Sequence, residues 1–258
     1  MDWEAYFGTE DEQPLDRFVQ GISCAAVFRT IGFVGDSLSS GEFESRSADG
    51  KAGYHDYYEY SWGQYIARKN GLKAYNFSRG GMSAKWYMES YAEEQDFWNP
   101  DKACQAYVIA LGVNDVINAR QTVGSVEDIC ADDYTQNRTT FAGYYAQIIQ
   151  RLKQIQPKAK FFLVTMPRAG DGRDSDRRAV AELLYSFAEY FDNTYVIDLF
   201  RYAPIYDDAF KERFWLYGHL NASGYIFTAN MIDSYIDYIV RHNPEDFRRV
   251  SYIGKDLQ

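Results

Sequence analysis

Ser37 stands in Gly35-Asp36-Ser37-Leu38, directly after the apolar run Thr30-Ile31-Gly32-Phe33-Val34. The carboxyl end of a buried strand is where open α/β sheets carry their chemistry. A serine hydroxyl placed there becomes a nucleophile once a base takes its proton. The chain has 3 histidines that could be that base. His55 lies in a Tyr- and Asp-rich stretch that reads as an exposed loop or a helix start. His242 ends the last helical pattern, where an imidazole meets the helix dipole favourably. His219 is the candidate base. It sits in Gly218-His219-Leu220-Asn221-Ala222-Ser223-Gly224, just ahead of a helix, and a loop there can carry an imidazole over the strand ends. Taken alone, Gly-Asp-Ser is a common capping turn and His219 a common loop histidine. Their weight comes from what lies between them.

Two further segments occur in order: Asn76-Phe77-Ser78-Arg79-Gly80-Gly81, then Gly112-Val113-Asn114-Asp115. Each alone reads as an ordinary loop after a strand. All four together, over roughly residues 30 to 240, resemble the blocks of the SGNH (GDSL) hydrolase superfamily. The resemblance implies Ser37 as nucleophile and His219 as base. It also implies an oxyanion hole made by the backbone N–H of Ser37, the N–H of Gly81 (Gly80 being the alternative) and the side-chain amide of Asn114. A glycine lets its N–H approach closely, and an asparagine offers a donor that titration cannot remove. The motif is not the Gly-x-Ser-x-Gly elbow of α/β-hydrolases, because Ser39 occupies the second flanking position. Asp36 and Asp115 read as structural, tying loops together.

The chain departs from the pattern at one position. The family commonly has an aspartate three residues before the histidine, to hold the imidazole, and here that residue is Leu216. The expected arrangement is a Ser-His dyad with a backbone carbonyl orienting His219. A displaced acid is the alternative, with Glu212, Asp207 and Asp208 nearest in sequence. An inactive site is the third reading.

The resemblance implies a serine esterase, a carboxylic ester hydrolase working through an acyl-enzyme. A short-chain acyl group such as O-acetyl on a carbohydrate is the expected substrate, given 23 Tyr, 17 Phe and 5 Trp and no long apolar lid segment. Trp86, Trp215 and Tyr217 are candidates to line the pocket, with core packing the alternative. The alternative function is a weak or inactive fold of the same kind that binds a glycan or another ligand. No metal-ligand spacing and no phosphate-cradling loop occurs, so no metal and no cofactor is expected. Arg168 to Asp176 reads as a solvated loop of mixed charge.

The net charge of −10 argues against nucleic-acid and anionic-membrane partners. The 3 cysteines, Cys24, Cys104 and Cys130, show no disulfide framework. No apolar stretch spans a bilayer and the first residues lack a signal-peptide pattern, so a cytoplasmic location is expected. Nothing in the sequence sets an oligomeric state.

The positioning elements follow from periodicity. Five near-continuous apolar runs read as strands buried on both faces: Ile31 to Val34, Ala74 to Phe77, Ala106 to Leu111, Phe161 to Thr165 and Tyr195 to Leu199. Helical stripes fall at 61 to 70, at 141 to 155 before Pro157, at 180 to 191, and from near Ser223 to before Pro244. This alternation predicts a three-layer α/β/α sandwich around a five-stranded parallel sheet; the resemblance implies its flavodoxin-like variant. Residues 1–20 read as an acidic amino-terminal extension and 21–258 as one hydrolase domain.

Overall fold

A computed structural model of the chain describes residues 4–9 and 11–250. Five parallel strands form the central sheet: β1 (Thr30–Gly35), β4 (Lys73–Ser78), β5 (Ala106–Ala110), β6 (Lys160–Val164) and β7 (Thr194–Ile197). Their spatial order is β4-β1-β5-β6-β7. The order reverses at β1, so the carboxyl ends of β1 and β5 flank the crevice where such sheets bind ligands.

Side chains alternate across the sheet. Val34, Phe77, Tyr107, Ile109, Phe161 and Leu163 pack on one face, beneath α3 (Phe141–Ile155) and α4 (Asp174–Tyr190). Ile31, Phe33, Ala106, Val108, Phe162 and Val164 pack on the other, beneath α2 (Trp62–Asn70) and α6 (Ala222–His242). Both faces are covered, which is why the strands read as unbroken apolar runs. Helix ends fall where local chemistry stops them. Ser61 caps α2 by accepting from Gln64 N, and Gly71 closes it at φ 67°. Thr140 caps α3 and Asn221 caps α6.

Two small antiparallel hairpins stand outside this frame. Between β1 and α2 the chain makes a short helix α1 (Ser37–Ser40), then β2 (Glu42–Arg46) paired with β3 (Ala52–Asp56). Ahead of α6, helix α5 (Asp208–Phe214) leads into β8 (Trp215–Leu216) and β9 (His219–Leu220). The apolar periodicity of the sequence predicts neither hairpin. His55, expected in a loop or helix start, lies on β3 with its side chain exposed and bonded to Ser45 Oγ.

The amino-terminal segment, of which 1–3 and 10 lie outside the described residues, lies against α6. Arg241 donates to the Glu12 carboxylate, to the Phe7 carbonyl and to Asp237, and Val19 N donates to Ser234 Oγ. Among the described residues no helix is long and apolar enough to cross a membrane.

Candidate active site

The β1 strand ends at Gly35, whose missing Cβ leaves room for Ser39. Asp36 then caps α1, accepting from Leu38 N at 3.0 Å. Ser37 is therefore the first residue of a helix, and such a residue has an N–H without an intrahelical partner. Burial pushes the Asp36 carboxyl up to about 7, against the opposing bond from Leu38 N.

The other blocks arrive from separate elements. After β4, the turn Arg79-Gly80-Gly81 places Gly81 at φ 74°, a left-handed conformation natural to glycine. After β5, Gly112 at φ 129° opens a π-helical turn, Val113–Asn118, that presents Asn114. Asn114 Nδ2 donates to Met82 O at 2.9 Å and its Oδ1 accepts from Asn118 Nδ2. One amide N–H is thus committed to the Gly81 loop and the other stays available. Asp115 accepts from Ala84 N and Lys85 N, holding the same loop, and burial raises its carboxyl to about 6. That is the loop-tying role expected for it.

Ser37, Gly81, Asn114 and His219 come together on one open pocket of about 510 Å³. Asp36, Leu38, Glu42, Tyr54, Gly80, Val113, Asn118, Trp215 and Gly218 complete its wall. A separate apolar cavity of about 70 Å³ lies behind Asp36 and Leu38 and holds none of these four residues.

His219 is held from the β2–β3 hairpin. Glu42 and Glu44 lie two residues apart on β2, so both side chains leave the same strand face. Glu42 Oε1 is 2.9 Å from His219 Nε2, and Glu44 Oε2 is 3.4 Å from Nδ1. Tyr54 of β3 meets the imidazole edge-on at 5.7 Å between centroids. Burial by itself lowers the tendency of His219 to hold a proton. The hydrogen bonds and charges of Glu42, then of Glu44, outweigh it and keep the imidazole above its ordinary range. Glu44 is itself buried, which disfavours its charge. The N–H of Gly218, then His219 and Arg46, reverse that and hold its carboxyl below the usual glutamate range.

The expected acids are corrected by this geometry. Asp207 is occupied as the cap of α5, accepting from Phe210 N, while Asp208 and Glu212 are exposed on that helix. None of the three lines the pocket. The groups on both imidazole nitrogens are carboxylates, where a backbone carbonyl was expected. Trp215 lies in the wall of the pocket. Trp86 instead lies against the Arg79 guanidinium, and Tyr217 points to solvent over Arg46, so neither is part of the wall. Sequence reasoning misses Glu42, Glu44 and Tyr54. Glu42-Phe43-Glu44 does alternate with strand period, but one short polar run reads equally well as a surface loop.

Comparison with known proteins agrees with this architecture. The model of the GDSL-like lipase/acylhydrolase family matches residues 33–226. No curated protein compared with the chain matches it. Among solved structures, a protein from Lactobacillus plantarum is 17% identical with a TM-score of 0.59, over 81% of this chain and 97% of that one. A family two carbohydrate esterase from Clostridium thermocellum, in complex with cellohexaose, is 17% identical with a TM-score of 0.52. That match covers 84% of this chain and 65% of that one. A family three carbohydrate esterase from the same organism is 15% identical with a TM-score of 0.53, over 83% and 98%. At these identities the likeness is one of fold. The family match spans well over half of the chain, from β1 into α6, and the chain belongs to the GDSL-like lipase/acylhydrolase family.

Proposed function

We propose that this hydrolase is a serine esterase that removes short acyl groups, O-acetyl foremost, from carbohydrate hydroxyls. The observation that carries the reading is the convergence of Ser37, Gly81, Asn114 and His219, from four distant segments, on one open pocket. In this mechanism His219 takes the Ser37 proton as Oγ attacks the ester carbonyl. The N–H groups of Ser37 and Gly81 and the free amide N–H of Asn114 receive the oxyanion. His219 returns the proton to the departing alcohol, and water, activated by the same imidazole, hydrolyses the acyl-enzyme. The carbohydrate part of the reading is supported by Trp215 and Tyr54 in the wall, flat faces suited to a sugar ring, and by the two carbohydrate-esterase neighbours.

Hydrolysis of p-nitrophenyl esters from acetate to octanoate, wild type beside Ser37→Ala, tests the reading. Acetate is expected to be cleaved fastest and the variant to be silent. Octanoate cleaved much faster than acetate would remove the short-chain assignment.

One observation favours a second reading, a ligand-binding protein. Glu42 occupies the Nε2 side of His219, the side a serine base would use. In a structural neighbour 15% identical to this chain, the active site of a carbohydrate esterase displays divergent catalytic and non-catalytic binding functions. A fluorophosphonate probe separates the two readings: covalent labelling of Ser37 supports the esterase, and an unlabelled serine supports binding alone.

A further inference from the structure

We propose that Glu44, a residue of the hairpin that follows the nucleophile, is the positioning carboxylate of His219. It would replace the aspartate whose usual place in the histidine's own loop is Leu216. The proposal rests on the esterase reading for its kinetic test and on geometry for its spectroscopic one.

Each carboxylate meets a different nitrogen of the ring. A positioning acid must hold the imidazole from behind, leaving the other nitrogen to face the nucleophile. Glu42, on Nε2, lines the pocket beside Ser37 and Gly80, whereas Glu44, on Nδ1, does not line it. Glu44 is therefore on the side away from substrate.

The rest of its environment fixes it there. Glu44 is 4% exposed. The oxygen that faces His219 also accepts from Gly218 N at 2.8 Å, and the other oxygen pairs with Arg46. Gly218 makes the approach possible, since a Cβ at that position would lie 2.6 Å from the same carboxylate oxygen. Strand β2 packs directly on β9, so the carboxylate and the histidine sit on touching elements. A buried carboxylate needs such compensation, and here one backbone donor, one guanidinium and one imidazole supply it. The 3.4 Å separation is long for a bond at rest, and such contacts tighten as positive charge develops on the ring. Leu216 stands directly opposite His219 in the β8–β9 pair and is 43% exposed, so the usual acid position here faces water.

The test is Glu44→Gln, with folding checked by circular dichroism. The amide keeps an acceptor for Gly218 N–H but cannot stabilise an imidazolium. On p-nitrophenyl acetate kcat is expected to fall about 100-fold or more while KM changes less than about threefold. The Nδ1–H proton resonance of His219 is expected to be lost to exchange in Glu44→Gln and retained in Glu42→Gln. If Glu44→Gln does not fold, Glu44→Asp takes its place, with a smaller loss in kcat and the resonance broadened. The proposal is overturned if Glu44→Gln keeps kcat within about threefold of wild type, or if the resonance disappears in Glu42→Gln and not in Glu44→Gln. If wild type cleaves no ester, the esterase reading fails and the resonance alone decides the placement of Glu44.

Discussion

His219 carries opposing influences, and its titration shows which dominates. Burial favours the neutral ring, while Glu42 and Glu44 from β2 favour the imidazolium. Asp36 faces it from the nucleophile turn, Tyr54 packs on it, and Arg46 neutralises part of Glu44. A base must be neutral to accept the Ser37 proton. With the proton held more tightly than usual, kcat/KM is expected to rise with pH through a midpoint above the ordinary value of about 6.5. Glu42→Gln removes the larger of the two raising contributions, so the same limb should move to lower pH. A limb that stays in place in that variant would mean that another group controls it. The oxyanion role proposed for Asn114 is open to the same kind of measurement. Asn114→Ala is expected to cost about 3–4 kcal/mol in kcat with KM little changed. A variant within about threefold of wild type would take the amide out of the hole.

At the level of elements, one hydroxyl joins three pieces of the site. Tyr225, in the first turn of α6, donates to Glu42 O at 2.7 Å and lies 3.4 Å from Ser37 O. It pins the start of β2 and the nucleophile turn to the helix that follows His219. Tyr225→Phe leaves the buried Glu42 carbonyl without that donor, and a loss of about 1–3 kcal/mol is expected in urea unfolding. Unchanged stability would mean that water takes the place of the hydroxyl. The same elements explain what sequence could reveal. The five strands and α2, α3, α4 and α6 are legible because each buries an apolar face whose period is visible in one dimension. The hairpins are not. Phe43 packs against Tyr225, and Glu44 meets its histidine 175 residues away, so nothing local marks the run as a strand. The segments of Ser37 and His219 stand out by type and order, and the fold brings them to one pocket. The groups that hold His219 are not, because that pairing exists only once β2 meets β9.

Across the whole molecule, the amino-terminal segment and the domain share one buried ionic centre. The Arg241 side chain is 4% exposed and is shared by Glu12 and Asp237. Removing the guanidinium would leave the two carboxylates facing each other, with only the Cys24 N–H on Asp237 and the half-exposed Arg17 on Glu12 to offset them. Arg241→Ala is expected to destabilise by about 3–5 kcal/mol in urea unfolding, and to expose the segment around Glu12 to limited proteolysis first. Proteolysis that begins elsewhere would show that the segment is held by its other contacts. None of these three residues lines the pocket, so ester hydrolysis at low temperature should be retained.

The outward face of the histidine loop has a practical value. Leu216 and Tyr217 are 43% and 58% exposed, and the carboxylates that meet the imidazole come from another part of the chain. Leu216 can therefore be varied while the brace behind the ring stays intact, whereas Tyr217, at φ 58° and packed over the Arg46 that pairs with Glu44, is tied to that brace. Position 216 is thus a place for a label or tether that leaves the carboxylates on His219 untouched.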